Sequence, residues 1–137
     1  MIVDSNVFLH LANPDGPESA GVLDAFERLS FANRAFLNPV IFAEISPGFA
    51  DCRSVEHFVG GLGVRLIGLT AADAFRAGQA FAAYRRNGGP RIAILPDFLI
   101  GAQAATKGWP ILTRDPKRFS SYFPEVELID PLQVPND

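Results

Sequence analysis

Four carboxylates stand within or directly after apolar runs: Asp4 in IVDSNVFLHL, Glu44 in NPVIFAEIS, Asp97 in RIAILPDFLIGAQA and Asp115 in PILTRDPKRF. An apolar run that meets an acid delivers a charge to the edge of the core. Carboxylates gathered at such an edge repel one another and lose hydration, so a fold holds them together only where a cation neutralises them. The expected cation is Mg2+ or Mn2+, a hard ion that takes oxygen ligands from several elements at once. Three or four acids around such an ion are equipped to hydrolyse a phosphodiester, because the ion polarises the phosphoryl oxygen and helps deprotonate a water. Each acid also has a plainer role open to it. Asp4 and Asp115 suit turns, Asp97 suits a helix N-cap, and Glu44 suits a solvated helix face, although Ile41, Phe42, Ala43 and Ile45 around it are apolar. The two histidines, His10 and His57, are too far apart for a ligand pair, and Cys52 stands alone as a filler or surface thiol.

The elements that must position these acids are short. Met1-Ile2-Val3 reads as a central strand, followed by a polar turn rich in breakers at 13–17. Val22, Ala25, Phe26 and Leu29 predict an amphipathic helix over 18–32. A strand over 34–37 leads to Asn38-Pro39, a strong helix start that places Glu44 in the second turn. A short helix over 54–62 and a strand over 64–69 follow. Thr70 and Asp73 open a capping box for a helix to about Arg86. Asp97 opens a helix through Lys107 that Gly108 stops, and strands are expected at 111–113 and 126–129. Strands alternating with helices argue for an α/β fold, a mainly parallel sheet with helices on both faces, whose ligands bind outside the carboxyl ends of the strands. A single domain over 1–131 with a loose tail at 132–137 is expected.

Bulk properties narrow the function class. The chain has 137 residues, 48% of them hydrophobic and 20% charged, with a net charge of −3. That suits one soluble domain and excludes a general polycation, so contact with nucleic acid would need a local basic patch or a metal. No basic leader and no apolar run of the ~20 residues a membrane helix needs is present. A cytoplasmic location, away from membranes, is the expectation.

The motifs together resemble a PIN domain, and more narrowly the VapC-type ribonuclease toxins of bacterial toxin–antitoxin pairs. The residues that carry the resemblance are Asp4-Ser5-Asn6-Val7 after an N-terminal strand, Glu44 in an apolar helix, Asp97 opening Asp-Phe-Leu-Ile-Gly-Ala-Gln-Ala, and Ile-Leu-Thr-Arg-Asp115. The resemblance covers residues 1 to about 131. It implies a three-layer α/β/α sandwich with Asp4, Glu44, Asp97 and Asp115 as the catalytic and metal-binding acids, Mg2+ or Mn2+ as cofactor, and cleavage of RNA by a metal-activated water. It also implies that Asn6 and Thr113 orient the acids, and that a protein antitoxin, as a separate chain, is the partner. One position departs from the pattern. Many relatives carry another acid three residues after the Asp115 position, before a phenylalanine, whereas Arg118-Phe119 stands here. Asp115 is therefore the acid to test.

Arg85, Arg86 and Arg91 bracket the Gly-Gly loop before Asp97, and Arg114, Lys117 and Arg118 surround Asp115. They are candidates for phosphate contacts that guide RNA to the acids, or for solvated helix ends. Phenylalanine is abundant (12 of 137). Phe42, Phe49, Phe58 and Val59 could be core, or could line an apolar groove for an antitoxin peptide or for the second copy of a homodimer. Trp109 suits packing more than base stacking. Two other functions compete. A haloacid-type phosphatase needs a second Asp two residues after the first, where Asn6 stands; a catalytically silent PIN-like binding module would go with loss of acids, and four are present.

Overall fold

The computed structural model describes residues 1–90 and 95–135. Among these residues, five strands of two residues each form one sheet: β1 (Ile2–Val3), β2 (Phe36–Leu37), β3 (Arg65–Leu66), β4 (Ile111–Leu112) and β5 (Leu128–Ile129). Their order is β3-β2-β1-β4-β5 and every pairing is parallel. β1 is therefore central, and Ile2 sits in register with Phe36 on one side and Ile111 on the other. β1, β2 and β4 are buried on both faces, as a parallel sheet covered by helices requires. The chain works outward from β1 to β2 and β3, then crosses to β4 on the far side. That reversal is a switch point between β1 and β4, the place outside whose carboxyl ends open α/β sheets bind their ligands.

Among the described residues seven α-helices clothe the sheet: α1 (Ser5–Leu11), α2 (Ser19–Ala32), α3 (Pro39–Ile45), α4 (Cys52–Gly61), α5 (Ala71–Arg86), α6 (Leu95–Lys107) and α7 (Lys117–Ser120). Most of their signals act as the sequence suggests. Asn38 caps α3 by accepting from the Ile41 N–H at 3.0 Å, with Pro39 at the first helical position. Gly108, at φ 67°, ends α6 in a left-handed conformation that glycine adopts without penalty. Two helices depart from expectation. The polar turn after β1 begins only after α1, because Asp4 caps a helix immediately at the strand end. The short α7 was also hidden, since Pro116 precedes only four helical residues.

The remaining differences are local. In α6, described over Leu95–Lys107, Asp97 lies within the first turn. The described part of the tail is folded: a 3₁₀ turn at Pro131–Gln133 packs against α2, and Arg28 donates to the Pro135 carbonyl at 3.0 Å.

The core is continuous across the sheet, from Ile2, Val3, Leu37, Ile111 and Leu112 to Val7, Ile41, Ile100 and Phe119. Gly101 is required where α6 meets the Phe123 ring, because a Cβ there would stand 2.3 Å from the ring. Trp109 stacks on Phe36 with ring centroids 4.4 Å apart, a packing role. Phe42, Phe49 and Phe58 are partly buried and pack on the core, whereas the most exposed aromatic side chains are Phe31 and Phe75.

The capping box of α5 also ties α5 to α6. Thr70 Oγ accepts from the Asp73 N–H at 3.2 Å, the buried Asp73 carboxylate accepts from the Thr70 N–H at 2.9 Å, and the Thr106 hydroxyl of α6 donates to Asp73. Burial pushes the Asp73 carboxyl upward, but these hydrogen bonds outweigh it and hold it below the usual range. A carboxyl depressed in the folded state contributes stability above its unfolded pKa and loses it as pH falls through the folded value. Asp73→Ala is therefore expected to cost about 1–2 kcal/mol near neutral pH. Urea titrations should show the gap shrinking as pH drops below about 4; an equal gap at pH 7 and pH 3 would contradict this.

Candidate active site

Three carboxylates come together at the carboxyl edge of the sheet. Asp4 follows β1 directly and is fully buried. Its Oδ1 accepts from the Ser5 N–H at 2.8 Å, and its Oδ2 accepts from the Thr113 hydroxyl at 2.8 Å. Asp97 arrives from the first turn of α6, where a negative charge is also favoured by the helix dipole. Glu44 arrives from α3, five residues after its first helical position. Burial pushes the Glu44 carboxyl above its usual value, and the charges of Asp4 and Asp97 add to this. Arg118 and the Ser5 hydroxyl pull the other way without reversing it.

The helices that carry Glu44 and Asp97 are locked to each other by a buried amide pair. Asn38 Nδ2 donates to Gln103 Oε1 at 3.0 Å, and Gln103 Nε2 donates to the Gly68 carbonyl at 3.1 Å. Both side chains are fully buried. Because buried polar groups left unpaired are costly, this bridge fixes α3 against α6 and against the loop after β3. Gln103 escaped the sequence reading because it sits in a run of small residues that reads as plain helix.

Asn6 and Thr113 form the next layer. Thr113 Oγ1 accepts from the Asp115 N–H at 3.0 Å and from Asn6 Nδ2 at 3.3 Å, while Asn6 Oδ1 accepts from the Arg114 N–H at 3.0 Å. The loop after β4 is thereby tied to α1, and the Thr113 hydroxyl has its proton aimed at Asp4. Asp115 is different. Its backbone takes part in this layer, but its side chain is exposed and makes no hydrogen bond or ion pair with the other three acids among the described residues.

At the centre of the three acids lies Arg118. Its Nη1 donates to Asp4 Oδ2 at 2.9 Å, its Nε and Nη2 both donate to Asp97 Oδ1, and Nη2 stands 4.0 Å from Glu44 Oε2. Burial alone would lower the Arg118 pKa, but the hydrogen bond to Asp97 and the charges of Asp4, Asp97 and Glu44 raise it above its ordinary value. The guanidinium is permanently charged. Sequence reasoning placed Arg118 among the basic residues near Asp115 and did not place it inside the acid cluster.

The donor set fits a hard divalent ion. Three carboxylates converge on one cationic position, and with one guanidinium they leave a formal net charge of −2, which a dication would match. Asp4, Asp97 and Glu44 would hold it. Among the described residues no group of three Asp, Glu, His or Cys side chains is already spaced as a ligand cage, because the acids are spread around Arg118. Of the other basic candidates, Arg114 donates to Asp130 Oδ1 and Glu18 Oε2, both at 2.7 Å. Its charge is thus engaged within the fold. Arg85 and Arg86 are exposed at the end of α5, with Arg85 donating to the Gly89 carbonyl at 3.0 Å. Arg91 lies outside the described residues.

A family model for the PIN domain matches residues 1–122. Solved structures with a similar fold include VapBC-1 from nontypeable Haemophilus influenzae, with a TM-score of 0.73 at 16% identity, covering 96% of this chain and 98% of that one. VapBC2 from Rickettsia felis bound to a promoter DNA fragment gives 0.71 at 16% identity, with 93% and 95% covered. A toxin–antitoxin complex from Klebsiella pneumoniae gives 0.68 at 18% identity, with 97% and 98% covered. No curated protein matches the chain. Among the described residues no helix is long and apolar enough to cross a membrane.

Proposed function

The chain belongs to the PIN domain family, and from that premise we propose that it is a metal-dependent endoribonuclease, the toxin of a toxin–antitoxin pair. The observation that carries this reading is the convergence of Asp4, Glu44 and Asp97, from three separate elements, around one cationic position at the carboxyl edge of the sheet. When bound, Mg2+ or Mn2+ supplies Lewis acidity toward a phosphoryl oxygen and lowers the pKa of an attacking water.

The chain's own residues do the positioning. Thr113 and the Ser5 N–H hold the Asp4 carboxylate in one orientation. The Asn38–Gln103 bridge sets the distance between the helices of Glu44 and Asp97. Glu44, whose side chain is partly exposed and lies beyond hydrogen-bonding reach of Arg118, is the acid best placed to meet an incoming water. Arg85 and Arg86 are assigned to the phosphate backbone of the RNA, with Arg114 a weaker contributor because two carboxylates already engage it. The partners are a separate antitoxin chain, as in the toxin–antitoxin complexes that share this fold, and a second copy of this chain. Cytoplasmic action is part of the same proposal.

The reading is tested by incubating the purified chain with total RNA in Mg2+ or Mn2+ and again with excess chelator. Cleavage that needs the ion supports it; cleavage that persists in chelator, or none under any condition, contradicts it. Asp115→Asn, run beside it, is expected to lower the rate far less than Asp97→Asn does, because its exposed side chain contacts none of the other three acids. A loss as large as that of Asp97→Asn would place the Asp115 carboxylate among the essential acids.

One observation favours a second reading, a catalytically silent PIN-like binding module: Arg118 already contacts all three acids. The same chelator experiment separates the two.

A further inference from the structure

Arg118 stands where a bound ion would have to go, and the individual oxygens show how direct the conflict is. Asp4 Oδ1 is committed to Ser5, accepting from its N–H at 2.8 Å and its hydroxyl at 3.4 Å. The other oxygen, Oδ2, already takes the Thr113 hydroxyl at 2.8 Å and Arg118 Nη1 at 2.9 Å. Asp97 Oδ1 receives two donors of the same guanidinium. Only Glu44, at 4.0 Å, lies beyond hydrogen-bonding reach. A small dication requires its oxygens at about 2.0–2.1 Å. It could not share Asp4 Oδ2 and Asp97 Oδ1 with a guanidinium, because two cations on the same oxygens repel.

We propose that Arg118 is a built-in counter-cation, which occupies the cation position of the acid cluster in the metal-free chain and must be displaced for a divalent ion to bind. This rests on the metal-dependent reading given above and adds a residue that sets the ion affinity. The guanidinium is placed to act this way. It sits at the end of a flexible side chain on the four-residue α7, 5.2 Å from the Phe119 ring, and is 21% exposed. It neutralises one of three carboxylate charges, enough to hold Asp4 and Asp97 together without an ion. The affinity of an ion for a site that is open only part of the time falls by the open fraction. If the guanidinium fills the site nine-tenths of the time or more, the loss is about tenfold or more.

The test is Mn2+ binding to the chelator-treated protein, followed by the electron paramagnetic resonance of the free ion, for wild type, Arg118→Gln and Arg118→Lys. Thermal midpoints are recorded with and without Mn2+. Arg118→Gln is expected to bind Mn2+ about tenfold tighter or more, to melt lower than wild type without the ion, and to gain more from adding it. Arg118→Lys keeps the charge but loses the fork to Asp97, so its affinity should lie between the two; it also serves if the glutamine variant does not fold. A Kd equal to or weaker than wild type in the folded variants overturns the proposal. In that case RNA cleavage by wild type in Mn2+ would leave the nuclease reading standing. Absence of Mn2+ binding by wild type and both variants, with no cleavage, would overturn both.

Discussion

Asp97→Asn is expected to lower RNA cleavage by about 10²–10³-fold, the range seen when one group that stabilises developing charge is removed, while the protein stays folded. Asparagine has nearly the same shape, the site is partly open with the Asp97 side chain 26% exposed, and the only side-chain partner of Asp97 among the described residues is Arg118. The structural loss is then confined to one ion pair and to a helix-dipole contribution of about 0.3–1 kcal/mol. The amide cannot supply the negative charge that a dication needs as a hard ligand. Single-turnover cleavage of labelled RNA measures the first effect, and a circular dichroism melt measures the second. A variant that cuts within tenfold of wild type would remove Asp97 from the chemistry.

Asp4→Ala is expected to be the most damaging change to the fold itself. Asp4 is fully buried and accepts from the Ser5 N–H, the Ser5 hydroxyl, the Thr113 hydroxyl and Arg118. Truncation removes the cap of α1, leaves the Thr113 hydroxyl without its acceptor, and takes from Arg118 its most deeply buried counter-charge. A lost cap costs about 1 kcal/mol, and breaking a buried ion pair from one side costs about 3–5 kcal/mol. The two share partners, so they do not simply add. A loss of about 3–5 kcal/mol follows, a large part of the 5–15 kcal/mol that holds a typical domain. Urea unfolding at neutral pH measures it. Asp4→Asn should cost less, since its amide oxygen can still accept from the Ser5 N–H. If Asp4→Ala unfolds within about 1 kcal/mol of wild type, the hydrogen bonds around Asp4 are not what ties α1 to the loop after β4.

How far the site could be read in advance depended on how local each signal is. Asn38-Pro39, the Thr70–Asp73 box and Gly108 act within a turn or two of themselves, so the helices they begin or end were legible. The parallel sheet was legible from its alternation with helices, and with it the edge at which Asp4 emerges. The helix α1 was not, because one residue, Asp4, serves as strand end and helix cap together. Nor was the surface of the Phe-rich segment legible: Phe49 and Phe58 lie against each other with centroids 5.2 Å apart, and Phe58 against Phe8, contacts set by how α4 docks.

Arg118 teaches most about the acids. Charge balance required a cation among gathered carboxylates, and that inference pointed outward to a metal. The chain supplies a first cation from within, twenty-one residues beyond Asp97. No local pattern reveals this; only the docking of α7 on α6 brings the two side chains together. Asp115 illustrates the reverse. Its motif marks the loop that carries Thr113, yet the direction of its own exposed side chain is not encoded in neighbouring residues.

Expressing wild type and Asp97→Asn in cells and mapping new RNA 5′ ends tests the central claim most directly. New ends at defined positions in the wild-type cells, absent with Asp97→Asn, are the expected result and would also identify the RNA. Identical 5′-end profiles in the two would contradict RNA cleavage through the acid cluster.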